Sequence, residues 1–199
     1  NRDGLNWPQL LVGKIEAGDD GLELDFSPVP NTLRAVEASW HPDGNSLAFS
    51  RYGDGTHEIW TIGVDGSNAT ALTNFGDGTQ IQGIDHSPDG SQLLVGVFRN
   101  YQQDLWLLEV ATGAWTRLTD SACDETDPFF GPDGRVWFTS DADRVYNVYA
   151  LDPDTRSVEK QTELVGGAYG GNVAPGGHLL YTAFTGHGYR VKLLPESGL

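Results

Sequence analysis

Apolar residues in this chain come in runs of four or five, each bounded by Gly, Asn, Asp or Pro. No stretch keeps apolar residues at i, i+3, i+4 and i+7 for three turns, so almost no helix is expected. Short apolar runs between turn residues predict short β-strands. The pattern also repeats. Pro42-Asp43-Gly44 returns as Pro88-Asp89-Gly90 and Pro132-Asp133-Gly134, with a degenerate copy at Pro175-Gly176-Gly177, at spacings of 46, 44 and 43 residues. A single Pro-Asp-Gly is a common turn. Four at a near-constant period mark a repeat architecture.

The text between the turns matches as well. After each turn comes an apolar strand: Leu47-Ala48-Phe49-Ser50, Leu93-Leu94-Val95-Gly96, Val136-Trp137-Phe138-Thr139 and Leu179-Leu180-Tyr181-Thr182. A polar loop leads to a second run: Glu58-Ile59-Trp60-Thr61-Ile62, Asp104-Leu105-Trp106-Leu107-Leu108, Asn147-Val148-Tyr149-Ala150-Leu151 and Arg190-Val191-Lys192-Leu193-Leu194. Another turn follows, at Val64-Asp65-Gly66, Ala111-Thr112-Gly113, Asp152-Pro153-Asp154 and Glu196-Ser197-Gly198. Ala71-Leu72-Thr73, Arg117-Leu118-Thr119 and Lys160-Gln161-Thr162 read as a short outer strand. A strand ending in Trp40, His86, Phe130 or Val173 precedes each Pro-Asp-Gly turn.

Four strands in about 44 residues fit one β-propeller blade. One blade cannot bury both faces, so neighbours must stack on it. The fold class expected is all-β, a β-propeller of four-stranded antiparallel blades. The blades are 1–35 (partial), 36–80, 81–123, 124–167 and 168–199 (partial). In the first, Gln9-Leu10-Leu11-Val12 and Leu22-Glu23-Leu24-Asp25 read as third and fourth strands. Propellers close with roughly four to eight blades. With about four to five present here, further blades completing a larger ring are the preferred expectation. An open half-ring would leave strand edges and apolar faces bare.

Trp40-His41-Pro42-Asp43-Gly44, followed by Leu47-Ala48-Phe49-Ser50-Arg51, Glu58-Ile59-Trp60, Asp65-Gly66 and Leu72-Thr73, resembles the TolB-type propeller repeat. Ile84-Asp85-His86-Ser87-Pro88-Asp89-Gly90 with Asp104-Leu105-Trp106 and Leu118-Thr119 is similar. Asn1-Arg2-Asp3-Gly4 resembles the family's S-x-R-D-G loop. The resemblance covers nearly the whole chain and speaks to fold more than to function. It implies one of several settings: the Tol–Pal envelope system, the gating propellers of peptidases, oligogalacturonate lyases, or large exported proteins.

Composition narrows these settings. The 199 residues carry 12 Lys and Arg against 28 Asp and Glu, a formal charge of −16. Such a surface repels phosphate backbones, so nucleic-acid binding is not expected, nor is docking on anionic lipid. A cationic partner suits it. Much of the acidity belongs to turns, since Asp outnumbers Glu 19 to 9 and many Asp sit beside Gly or Pro. Three Lys against nine Arg is a slight pointer to a saline habitat. One cysteine, Cys123, excludes an internal disulfide. No apolar run approaches the roughly 20 residues of a membrane span, and no signal peptide is visible at Asn1. The chain lacks Met even at position 1, so a processed or partial chain is expected.

Catalytic motifs are missing. There is no G-x-S-x-G elbow, no H-E-x-x-H helix and no phosphate-binding loop. His41, His57, His86, His178 and His187 fall at non-equivalent repeat positions. They are expected to scatter as turn or surface residues, although a lyase would gather such residues around a metal. Asp120, Asp124, Glu125 and Asp127 cluster before an innermost strand. A solvated acidic loop is the plain reading. The chemical one is calcium held by Asp120, Asp124 and Glu125 with carbonyls. Asp54, Asp77 and Asp141 are read as solvated loop residues. Glu37, Asp85 and Asp127 precede or begin innermost strands, where they would rim the central channel and attract a cationic peptide.

Trp40, Trp60, Trp106, Trp137, Phe49, Phe130 and Phe138 recur at equivalent positions and read mostly as packing between blades. Trp7 and Trp115 fall outside that register and are the candidates for exposure. Asn68-Ala69-Thr70 is a formal glycosylation sequon. The expectation is a non-catalytic propeller that binds protein or peptide, in a periplasmic or extracellular setting and without a cofactor, calcium apart. The alternatives are a gating propeller of a hydrolase and a metal-dependent polysaccharide lyase.

Overall fold

The computed structural model describes residues 7–18 and 21–195, and every regular element among them is a β-strand. The strands form five antiparallel sheets. The first is a hairpin of β1 (Leu11–Gly18) and β2 (Gly21–Pro28). The second holds β3 (Ala35–Trp40), β4 (Ser46–Gly53), β5 (Thr56–Gly63) and β6 (Thr70–Ala71). The third holds β7 (Gln80–His86), β8 (Gln92–Arg99), β9 (Gln102–Glu109) and β10 (Trp115–Arg117). The fourth holds β11 (Glu125–Phe130), β12 (Val136–Ser140), β13 (Asn147–Leu151) and β14 (Val158–Lys160). The fifth holds β15 (Ala168–Val173), β16 (Leu179–Thr185) and β17 (Gly188–Leu194). Strands pair in chain order within every sheet. The all-β propeller expected from the repeat is the fold observed. The Asn1–Gly4 loop and the Glu196–Gly198 turn lie outside the described residues.

Each Pro-Asp-Gly motif makes the turn between the first two strands of its sheet. The glycine N–H donates to the carbonyl three residues back, in Gly44 to His41, Gly90 to Ser87 and Gly134 to Gly131. The aspartate accepts the N–H two residues on, from Asn45, Ser91 or Arg135. The glycine has φ of 71°, 75° and 80° in these three copies, a conformation a Cβ disfavours. Pro175-Gly176-Gly177 keeps the turn bond, Gly177 N–H to Ala174 O, without the aspartate.

The outer strands sit two residues earlier than the Leu-Thr pairs suggest. β6, β10 and β14 end at Ala71, Arg117 and Lys160. The residues after them turn back over the third strand. There the hydroxyls of Thr73, Thr119 and Thr162 accept the backbone N–H of Ile59, Leu105 and Val148, each at 2.9 Å. A side-chain strap replaces a ladder bond, which an apolar-run pattern cannot distinguish from a strand. In the first sheet, β1 starts at Leu11 rather than Gln9.

The chain divides into two compact units, residues 1–79 and 80–199. In the first, Val29, Ala35, Leu47, Phe49 and Ile62 form the core, with Leu10, Val12, Trp60 and Val64 against it. Leu11, Ile15, Leu22, Leu24 and Phe26 of the hairpin are exposed. In the second unit the fourth sheet has a core on each side. Val136, Phe138, Tyr149 and Leu151 pack with Leu94 and Leu105 of the third sheet. Trp137, Val148 and Ala150 pack with Ala168, Val173 and Leu179 of the fifth. This is period-two alternation with both faces buried. Phe49, Trp137 and Phe138 are buried, as inter-blade packing requires, but Trp40 is 50 % exposed. Trp7 is exposed beneath the Arg34 guanidinium, whereas Trp115 is half-buried edge-on to Trp106.

Candidate functional site

The innermost strand of each four-stranded sheet, and of the fifth, begins with a register break. It falls between Val36 and Ala38, Ile81 and Ile84, Thr126 and Phe129, and Tyr169 and Asn172. Counting back from the turns, the equivalent residues in these bulges are Glu37, Gly83, Asp127 and Gly170. All four have positive φ, at 45°, 95°, 51° and 56°. The third and fifth sheets meet this requirement with glycine. The second and fourth meet it with an exposed carboxylate, at a backbone strain of about 1–2 kcal/mol. The bulge turns the side chain out of the ladder, so Glu37 and Asp127 stand in solvent at the loop end of their strands.

Asp85, grouped with these two by sequence, has a different place. It is half-buried, one position before His86, and its carboxylate accepts the backbone N–H of Phe130 at 2.9 Å. It joins the innermost strands β7 and β11 rather than facing solvent freely.

The acidic loop before β11 is divided among separate partners. Asp120 pairs with Arg117 at 2.7 Å. Asp124 accepts the Gln103 N–H at 3.2 Å, and its own N–H donates to Asp141 at 3.0 Å. Glu125 is 3 % exposed and takes hydroxyl bonds from Ser121 and Thr119. Burial pushes its carboxyl up to about 7, against those hydroxyl bonds and helped by the charges of Asp104 and Asp124. Among the described residues no three His, Cys, Asp or Glu side chains are grouped to hold a metal ion. His86 is 7 % exposed on β7 and so is not a surface residue. His41 lies 3.0 Å from the Asp43 carboxylate, and His178 contacts the Gly176 carbonyl at 3.0 Å.

Next to Asp127 lies a feature that the sequence pattern did not single out. Tyr146, Tyr169, Tyr189 and Phe184 form a row of rings along the loop ends of the fourth and fifth sheets. Centroids are 5.4 Å apart for Tyr146–Tyr169, 6.4 Å for Tyr169–Tyr189 and 5.0 Å for Phe184–Tyr189. Two glycines make room for it. A Cβ on Gly167 (φ 120°) would meet the Tyr169 hydroxyl at 2.8 Å, and one on Gly166 would collide with the Phe184 carbonyl. Gly167 O also accepts the Phe184 N–H at 2.9 Å. Burial, then the charges of Asp141, Asp124 and Asp127, hold the Tyr146 hydroxyl above its ordinary pKa. The signal available in the sequence is that Tyr146 and Tyr189 share one repeat position, just before Asn147 and Arg190.

A recess of about 950 Å³ lies at the opposite end of these sheets and is lined by Pro132, Asp133, Arg135, Trp137 and Pro175. Its charged groups are satisfied internally, with Arg135 paired to Asp133 and Glu159.

No family model matches the chain. An uncharacterized protein of Agrobacterium fabrum is 33 % identical over 173 residues, 79 % of this chain and 58 % of that protein. The Tol-Pal system protein TolB of Francisella tularensis is 27 % identical over 124 residues, 59 % of this chain and 27 % of its own length. The chain therefore spans less than two thirds of either relative. The crystal structure of TolB from Acinetobacter baumannii superposes with a TM-score of 0.76 at 21 % identity, over 88 % of this chain and 46 % of that one. Enzymes share the fold too. Puromycin hydrolase gives 0.70 at 17 % identity, over 87 % of this chain and 29 % of its own. An oligogalacturonate lyase in complex with manganese gives 0.63 at 18 %, over 87 % and 52 %. In repeat sequence and in fold, the chain is a TolB-like β-propeller.

Proposed function

We propose that this chain is a non-catalytic binding propeller for protein or peptide partners, working outside the bacterial cytoplasm in an exported or envelope protein. The carrying observation is the pair of bulge carboxylates. Glycine holds the same backbone shape in two sister sheets, yet Glu37 and Asp127 occupy it with charge exposed. Strain kept at an exposed polar position is a mark of function rather than of packing. A formal charge of −16 favours a cationic partner and speeds its encounter. The likeness to a protein of the Tol-Pal system supports both the binding role and the envelope setting.

A second reading, a gating propeller of a peptidase, draws support from the puromycin hydrolase fold. An uncharacterized peptidase of Bacillus subtilis is also 25 % identical over 166 residues.

The test is selection from a random peptide library on the immobilised chain, run beside the double variant Glu37→Gly, Asp127→Gly. Enrichment of Lys- and Arg-bearing peptides that the variant loses is the expected result. Equal recovery on both proteins would sink the bulge-carboxylate reading. Fractionation of the source cells checks the compartment.

A further inference from the structure

Elsewhere in this protein arginines lie over indole rings. Arg34 lies 4.1 Å from the Trp7 centroid, Arg51 4.4 Å from Trp60, Arg135 4.8 Å from Trp137 and Arg117 5.7 Å from Trp106. The row Tyr146–Tyr169–Tyr189–Phe184 is treated differently. Among the described residues no guanidinium or ammonium lies over these rings, and the three tyrosine hydroxyls make no hydrogen bond within the protein. Tyr189 is 65 % and Phe184 41 % exposed.

The carboxylates at the Tyr146 end are also uncompensated. Asp104, Asp120, Asp133, Asp143 and Glu159 each pair with an Arg or Lys. Asp124, Asp127 and Asp141 do not, among the described residues. Their contacts are backbone N–H groups and the Thr126 hydroxyl. Both missing partners are thus of one kind: the ring faces and the carboxylates lack a cation.

We propose that this tyrosine row, with Asp124, Asp127 and Asp141 at its end, seats an arginine side chain of an extended partner peptide. The guanidinium stacks flat on the tyrosine faces and donates to the carboxylates. Arginine suits the place better than lysine because its planar, weakly hydrated head both stacks and donates in pairs. The aromatic row takes up the peptide's apolar groups beyond the charge. This assignment rests on the binding-propeller reading and gives its partner a chemistry.

The experiment is titration of the full chain with tetra-arginine amide at fixed ionic strength, followed by calorimetry. Tetra-lysine amide, tetra-glutamine amide and spermidine serve as separate arms. Tetra-arginine is expected to bind tightest, tetra-lysine and spermidine more weakly, and tetra-glutamine not at all. Tyr169→Leu should weaken tetra-arginine about fivefold or more, and Tyr169→Phe less than about twofold. Unchanged thermal unfolding of both variants separates contact from misfolding.

Binding of all cations alike, untouched by Tyr169→Leu and Tyr189→Leu, would overturn the arginine seat and leave the broader binding reading intact. Loss through the tyrosines with full binding by Asp127→Gly would support the aromatic seat and count against the bulge carboxylate. No tetra-arginine binding overturns the proposal outright.

Discussion

The carboxylate of Asp85 accepts the backbone N–H of Phe130, 45 residues away, at 2.9 Å. That distance in sequence is one repeat, so the bond ties a residue on one innermost strand to the next innermost strand. β11 is an edge strand of its sheet, so an N–H on its open side has no ladder partner, and a donor left unpaired away from water is costly. Charged acceptors give the stronger bonds. Asp85→Ala is therefore expected to destabilise the fold by about 1.5–3 kcal/mol, and Asp85→Asn by less, since its amide oxygen can still accept. Urea unfolding of the three proteins measures the difference, and a neutral Asp85→Ala would contradict the tie.

The bulge carboxylates should behave in the opposite way. Asp127→Gly and Glu37→Gly each relieve a positive φ at a position where sister repeats already use glycine. Each is expected to leave stability unchanged or raise it, by up to about 1 kcal/mol, while weakening partner binding. Glu37 should gain more than Asp127, because Asp tolerates the left-handed region better. Chemical denaturation midpoints check the sign. A loss of stability at both positions would mean that the carboxylates support the fold.

Glu125 gives a pH dependence. Its folded carboxyl lies near 7 against an ordinary 4.5, chiefly through burial. Below about pH 4.5 both states hold the proton. Between about 4.5 and 7 the folded state holds it and the unfolded chain has released it, so rising pH removes stability, and the loss is complete above about 7. Glu125→Gln should flatten this slope and leave the protein more stable than the native chain at pH 8. Asp89, pulled down to about 2 by its bonds with Ser87 and Ser91, titrates well below that window. The difference between native and variant melting temperatures from pH 5 to 8 isolates the effect. Parallel profiles would rule it out.

The hydroxyl strap of the fourth sheet is a fourth test. Thr162 accepts the Val148 N–H at 2.9 Å and donates to Asn147 at 3.0 Å, while 6 % exposed. Thr162→Val keeps the shape and strands the Val148 N–H, while Asn147 keeps the Leu164 N–H, at about 1–3 kcal/mol. Thr162→Ser should recover most of it. Hydrogen exchange at the Val148 amide reports the bond directly, and equal protection in the valine variant would show it to be dispensable.

Much of the fold was legible because repetition multiplies weak signals. Pro-Asp-Gly after Trp40 is ambiguous by itself and decisive at the fourth copy. The outer strands end two residues before the pattern predicts, because Leu72-Thr73 has the composition of a strand. Only geometry shows that the Thr73 hydroxyl performs the work of a backbone partner.

The site was less legible. Strand position and charge mark Glu37 and Asp127, yet the stronger clue is the glycine at Gly83 and Gly170 in the same repeat position. Asp85 shares with them its place at an innermost strand, although its side chain is held by the Phe130 N–H. Tyr146, Tyr169 and Tyr189 stand 20 or more residues apart; strand order in the fifth sheet brings Tyr169 near Tyr189, and packing against the fourth sheet adds Tyr146.

Strand β12 has no solvent side: all five residues from Val136 to Ser140 are buried, with Val136 and Phe138 in one core and Trp137 in the other. Such a sheet has no free energy of its own to fall back on. Peeling away either neighbour converts half of its side chains into a sticky face. Opening of the second unit should therefore be a sequential hazard rather than a local event, in which the first sheet to leave commits the next. Proteolytic nicking in the loops around β12 should release that whole region at once rather than trim it strand by strand.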